Sequence, residues 1–291
     1  MMAARFRGVG QPLDIVDVPD PTPGSGELVL RVSGCGICGS DLHISSEPFL
    51  PADAIMGHEF AGVVEAVGPD THGWREGEAV CALPIFGCGS CLWCMTGDPH
   101  HCTAMKGTGL GERDGAFAEY VRVSAAETFR LPEDMAPYEG ALVEPLAIGL
   151  HAVHRGEVKA GDDVLIIGAG PIGLATALWA HHAGAREVVV SDPVTHRREL
   201  VEQLGATATI DPSKDEVLPT FERLTRTVPD VIFECVGVPG LIQDIFNYAP
   251  PCCRIVIAGV CIKPDTILPV IGLMKELTVR FTIYYNRADY G

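Results

Sequence analysis

The chain has 291 residues, and 21 Lys+Arg against 38 Asp+Glu leave a formal net charge of −17. At about 150 residues per domain two domains are expected, and 47% apolar residues are enough to fill their cores. The acidic balance, with no run of four basic residues, argues against nucleic acid or an anionic membrane surface as partner, and a charged content of only 20% argues against disorder.

Met1 to Gly10 lacks the apolar stretch of a secretory signal, which points to a cytoplasmic protein. Eleven cysteines in a reducing compartment serve metal more often than disulfides. Strand-like runs at Glu27–Val32, Phe60–Val67 and Ala79–Leu83, separated by turn clusters such as Pro19–Gly26 and Gly73–Gly77, predict a small, mostly β domain over residues 1–150. The segment Glu139–Arg155 reads as a helix interrupted at Pro145 that carries the chain into the second domain. From there Val164–Ile167, Glu187–Ser191, Ala208–Ile210, Asp230–Cys235, Arg254–Ala258 and a last run, Leu277–Tyr285, are β-like. Leu174–His182 and Arg197–Leu204 between them are helical in composition. This alternation predicts βαβ units and a parallel sheet over 151–291. The uncharged stretch Val164–Ala180 is broken by Gly168, Gly170, Pro171 and Gly173 and is shorter than the roughly 20 residues of a spanning helix, so no membrane segment is expected there.

Cys88, Cys91, Cys94 and Cys102 form C-x2-C-x2-C-x7-C in a lobe of about residues 87–103. Four thiolates at about 2.3 Å close a tetrahedral Zn²⁺ shell and leave no position for substrate, so this set reads as a structural staple. Trp93 and Met95 in the lobe are expected to pack, and Cys81, Cys235, Cys252, Cys253 and Cys261 to fill small apolar spaces. A second, incomplete set is dispersed. Cys38 in CGICGSDLH and His58 in GHE offer a thiolate and an imidazole, with Glu59 and Glu144 as candidate carboxylate ligands and Asp41 placed to orient the His58 ring. Ser40 and His43 suit a proton relay from a bound alcohol to solvent.

Val164–Gly173 reads VLIIGAGPIG, a hydrophobic strand running into Gly168, Ala169, Gly170, Pro171, Ile172 and Gly173, with Asp192 ending the next strand. The glycines let backbone approach a pyrophosphate at a helix N-terminus, and an acid at position 192 favours a free ribose diol, hence NAD over NADP. Arg197 is placed to border the adenine. Val236 and Gly237 in ECVG end a strand where a doubly wound sheet holds its ligand.

Together these motifs, with DGAFAEYV at Asp114–Val121 and EGALVEPLAIGLHAV at Glu139–Val153, resemble the zinc-dependent medium-chain dehydrogenase/reductase family, nearest its sorbitol and butanediol dehydrogenase branch. The resemblance implies a GroES-like catalytic domain, a Rossmann domain and an active site in the cleft between them. It implies a catalytic zinc on Cys38, His58 and Glu59 with Glu144 as an additional or exchanging ligand, and two zinc ions per chain. It further implies oxidation of a small alcohol or polyol to the ketone, and a homodimer or homotetramer formed through the last Rossmann strands. Reduction or aldehyde dismutation on the same scaffold, or a catalytically silent nucleotide-binding protein, are the alternative functions. Family members return to the catalytic domain after the last Rossmann strand; this sequence ends at Gly291, so that return is expected to be missing.

Overall fold

The computed structural model describes residues Met1–Gly291, and the chain divides into one unit of Met1–Glu144 with Tyr285–Gly291 and a second of Pro145–Tyr284. The terminal seven residues, assigned from sequence to the second domain, thus lie with the first.

In the first unit five antiparallel strands run in the order Tyr120–Ser124, Glu27–Gly36, Glu59–Val67, Ala79–Ala82 and Thr128–Arg130. Leu28, Leu30, Phe60, Val64, Val80, Val121 and Val123 form its core, each worth about 1.5–3 kcal/mol of transfer free energy when fully buried. The pairing of Glu27–Gly36 with Glu59–Val67 ends on Cys35↔Phe60 and Gly36↔Glu59. Antiparallel pairing places the exit of one strand beside the entry of the other. That register brings Cys38 and His58, remote in sequence, to one corner of the sheet. Two register shifts, at Val29/Leu30 and Val32/Gly34, bend the strand on its way there.

The second unit is a six-stranded parallel sheet in the order Ala208–Ile210, Glu187–Ser191, Asp163–Ile167, Val231–Glu234, Arg254–Ile257, Thr278–Phe281. Its central strands are apolar on both faces because helices cover both. The order reverses at Asp163–Ile167, which makes the carboxyl end of that strand the switch point of a doubly wound sheet. The fold is therefore α/β: a GroES-like, mostly β unit joined to a Rossmann-like one.

Several boundaries differ from the sequence reading. Helix Val143–Arg155 runs through Pro145 without interruption, because a proline in the first turn gives up no hydrogen bond; the break falls earlier, where a 3₁₀ turn, Glu139–Leu142, hands over to the α-helix. The helix expected at Leu174 begins at Pro171 for the same reason. The last strand ends at Phe281, short of Tyr285, and Tyr284 takes a left-handed φ of 55° where the chain turns back to the first unit. No helix is long and apolar enough to cross a membrane.

Candidate metal and nucleotide sites

Cys38 caps the helix Gly39–Ser45. Its Sγ accepts from the Ser40 amide at 3.4 Å, and its own amide donates to Asp41 at 2.9 Å, so a capping box fixes the thiol at the helix N-terminus. His58 and Glu59 open the neighbouring strand region and are buried. One ligand atom each from Cys38, His58 and Glu59 lies within 4.8 Å of the other two. Asp41 Oδ1 sits 3.4 Å from His58 Nδ1, an ion-pair distance too long for a formed hydrogen bond, and Ser40 Oγ is 3.5 Å from Nε2. His43, on the same helix, is exposed. Glu144 is buried nearby but stands outside the 4.8 Å group; its Oε1 accepts from the Tyr285 hydroxyl at 2.9 Å.

The electrostatics of this corner show a shortage of positive charge. Burial opposes a charge on His58, yet Asp41, the Cys38 thiol and Glu144 outweigh it and raise its pKa to about 11. Burial, reinforced by Glu59 and Asp41 and opposed by His58 and Tyr285, pushes Glu144 up to about 7; burial also raises Glu59, and with the neighbouring carboxylates it raises the Cys35 thiol. A divalent cation would supply the missing charge, and a thiolate, an imidazole and a carboxylate in an unfilled shell suit zinc. The residues present fit that ion.

Gly36 is part of the construction, and the motif reading did not single it out. A Cβ there would overlap Glu59 Oε2, so the missing side chain leaves room for the carboxylate. Gly36→Ala is expected to displace that carboxylate while sparing the fold, since the obstructing atom is the tip of a flexible side chain. Zinc affinity, measured by competition with a chelator, should fall about ten- to a hundredfold; an unchanged affinity would remove Glu59 from the set.

In the lobe, Cys88, Cys91, Cys94 and Cys102 likewise bring their sulfurs within 4.8 Å of one another. Amides of Ser90 and Cys91 pull the exposed Cys88 thiol down to about 6, whereas burial raises Cys94 to about 12. An all-thiolate shell around zinc would resolve both. His100 and His101, which stack on each other at 4.0 Å, stay outside the set. Trp93 and Met95, expected to pack, are exposed, as is Cys252; Cys81 and Cys253 are buried, and none of the eleven cysteines is paired in a disulfide.

In the second unit, Gly168 follows strand Asp163–Ile167 with a φ of 98°, and a Cβ would press on Val236. Gly170 caps helix Pro171–His182, and nothing lies within 4 Å of where its side chain would be. Gly173 packs directly on the Gly168 carbonyl. Open backbone, helix N-terminus and tight helix–strand contact are the three requirements of a pyrophosphate cradle. Ile172 lies in the helix's first turn. Asp192 is buried and accepts from the Ala169 and Val194 amides, at 2.8 Å each, which holds its carboxylate beside the loop with lone pairs remaining. Arg197 Nη1 is 3.8 Å from Asp192 Oδ2, but Arg198, half-buried, makes the closer contact by donating to the Asp192 carbonyl at 2.6 Å. The sequence reading also missed Glu234, whose Oε1 accepts from both the Val236 and Gly237 amides at 2.7 Å and shapes that turn from below.

The family description "Alcohol dehydrogenase GroES-like domain" matches residues 24–133, and "Zinc-binding dehydrogenase" matches residues 171–291. The scyllo-inosose 3-dehydrogenase of Thermotoga maritima is 38% identical over 254 residues, which cover 78% of this chain and 64% of that enzyme, so the matched chain spans under two thirds of its length. A structure described as a zinc-binding dehydrogenase from Sinorhizobium meliloti 1021, bound to NADP, is 35% identical with a TM-score of 0.89, covering 99% of this chain and 86% of that one. The 2R,3R-butanediol dehydrogenase of Bacillus subtilis is 32% identical with a TM-score of 0.87, covering 99% and 86%. Two sulfur-bearing metal sets, a dinucleotide loop and these likenesses agree: the chain belongs to the zinc-dependent medium-chain dehydrogenase/reductase family.

Proposed function

We propose that this protein oxidises a secondary alcohol or polyol, or reduces the corresponding ketone, with NAD as the hydride carrier. The observation that carries the reading is the convergence of Cys38, His58 and Glu59 within 4.8 Å in a corner rich in acids. These three residues would hold a catalytic zinc, Glu144 would be an exchanging ligand, and Cys88, Cys91, Cys94 and Cys102 would hold a second, structural zinc. When bound, the catalytic ion would supply Lewis acidity that eases loss of the hydroxyl proton, and the nicotinamide would supply the hydride acceptor. The chain's own part is to receive and place. Ser40 Oγ would accept a hydrogen bond from the substrate hydroxyl and release its own proton as it takes up that of the alcohol, and His43, three residues on along the same helix surface, would carry the released proton to solvent. Asp41, whose Oδ1 lies 3.4 Å from His58 Nδ1, would orient the ring by closing that gap to a hydrogen bond, which leaves Nε2 for the ion.

Gly168, Gly170, Pro171, Ile172 and Gly173 would seat the pyrophosphate, and Asp192 would take the ribose diol. Its charge repels a 2′-phosphate, hence NAD over NADP, although the Sinorhizobium meliloti structure holds NADP. Arg197 would border the adenine; Val236 and Gly237 would line the nicotinamide side. A diol or cyclic polyol as substrate is in keeping with the names of the butanediol and scyllo-inosose relatives. A homodimer or homotetramer in the cytoplasm completes the reading: strand Thr278–Phe281 is a sheet edge, and Phe281 and Ile283 are 68% and 58% exposed.

The test is reduction of NAD⁺, followed by absorbance, over a panel of secondary alcohols, diols and cyclic polyols with zinc-loaded protein. Turnover with at least one diol or polyol is expected, with kcat/KM favouring NAD⁺ over NADP⁺ by about tenfold, near 1.4 kcal/mol. Zinc-loaded protein that binds the nucleotide and reduces it with none of these would overturn the reading.

A further inference from the structure

The segment Tyr285–Gly291 touches Glu144 at one end and the cysteine lobe further along. Its first residue, Tyr285, is fully buried and donates its hydroxyl to Glu144 Oε1 at 2.9 Å. Two residues on, the Arg287 amide donates to the Gly97 carbonyl at 2.8 Å and its Nη1 to the Cys94 carbonyl at 3.0 Å, on the helix that carries the third lobe cysteine. The remaining edge of the guanidinium forms a two-pronged pair with the buried carboxylate of Glu127. Asn286 caps the final helical turn, and Tyr290 stacks on Tyr285 at 5.1 Å and on Phe129 at 5.5 Å. The Tyr285 ring is therefore pinned along its length and anchored at the lobe, and its hydroxyl has one fixed direction. Glu144 at that end is a buried carboxylate beside Glu59 and Asp41, and it stands outside the 4.8 Å group of Cys38, His58 and Glu59. A carboxylate so close to an acid-rich, cation-hungry corner would move onto the ion unless something else satisfied it. Hydrogen bonds to ionised carboxylates are roughly twice as strong as neutral ones, so the tyrosine hydroxyl opposes that move.

We propose that Tyr285 is a positioning residue for Glu144, its hydroxyl holding the carboxylate in reserve, out of the metal shell formed by Cys38, His58 and Glu59. The inference rests on the reading that those three residues hold the metal. Without the tyrosine hydroxyl, Glu144 becomes a full-time ligand, the shell gains a donor, and the ion leaves more slowly.

Cobalt tests this, because its d–d absorption weakens and shifts when a fourth protein ligand raises the coordination number. The chain is loaded with Co²⁺, and the signal of interest is the part of the spectrum that Cys38→Ser removes. Tyr285→Phe, which keeps the ring and its packing, is expected to weaken and shift that part and to slow cobalt release to a chelator by about tenfold. Adding Glu144→Gln to Tyr285→Phe is expected to reverse both changes. An unaltered spectrum in Tyr285→Phe overturns the proposal, as does a change that Glu144→Gln fails to reverse. If Cys38→Ser removes no cobalt at all, the metal reading itself has failed and the proposal falls with it.

Discussion

Replacing Cys38 by Ser is expected to release about one zinc per chain and to cut turnover by at least about a thousandfold, with the fold and nucleotide binding kept. The loss follows from removal of the only thiolate in the set; a catalytic metal supplies several kcal/mol of transition-state stabilisation, and each 1.36 kcal/mol is about a factor of ten. The fold survives because the residue's second task is capping. Cys38 accepts the Ser40 amide and donates to Asp41, and serine is a better N-cap than cysteine, so the helix Gly39–Ser45 keeps its box. Metal analysis beside a thermal melt checks both halves. Full zinc content in the variant would remove Cys38 from the site, and a collapsed melt would make its role structural.

Gly173→Ala is expected to cost about 1–3 kcal/mol of stability and to weaken NADH binding by about a hundredfold. A Cβ there falls onto the Gly168 carbonyl oxygen, a backbone atom with no rotamer by which to withdraw. Relief requires the helix Pro171–His182 to back away from strand Asp163–Ile167, and the amides at its N-terminus move with it. Gly170→Ala is the informative partner. Nothing lies within 4 Å of its Cβ position and its φ is an ordinary −72°, so stability should change by less than about 0.5 kcal/mol. A methyl group in that open space nevertheless stands where a pyrophosphate would approach, and binding should still fall. Urea melts and NADH fluorescence titrations separate the two. Equal loss of stability in both variants, or undiminished binding in Gly170→Ala, would count against the phosphate cradle.

What the sequence made legible was whatever depends on residue type at short spacing. The C-x2-C-x2-C-x7-C lobe and the strand–GAGPIG–helix unit carry their geometry locally. The pairing of Cys38 with His58 was readable only as chemistry, a thiol and an imidazole near carboxylates; the register Gly36↔Glu59 is the physical cause of their meeting. Tyr285 on Glu144, 141 positions apart, leaves no periodicity or spacing to detect, and the same holds for Arg287 on Glu127. Pro145 misled because a proline read without its position in the helix looks like a break. Gly36 passed as one more glycine in CGICG, although its value lies in the carboxylate opposite it. Arg197 drew attention by its position, whereas packing gave the closer contact with Asp192 to Arg198.

The most direct measurement is anomalous scattering at the zinc absorption edge on crystals of the metal-loaded chain. Two peaks are expected, one enclosed by Cys88, Cys91, Cys94 and Cys102, the other at about 2.3 Å from Cys38 Sγ and about 2.0–2.1 Å from His58 Nε2. A lobe peak alone, with Cys38 and His58 free of metal in zinc-saturated crystals, would contradict the catalytic zinc and leave a nucleotide-binding protein with a stapled lobe.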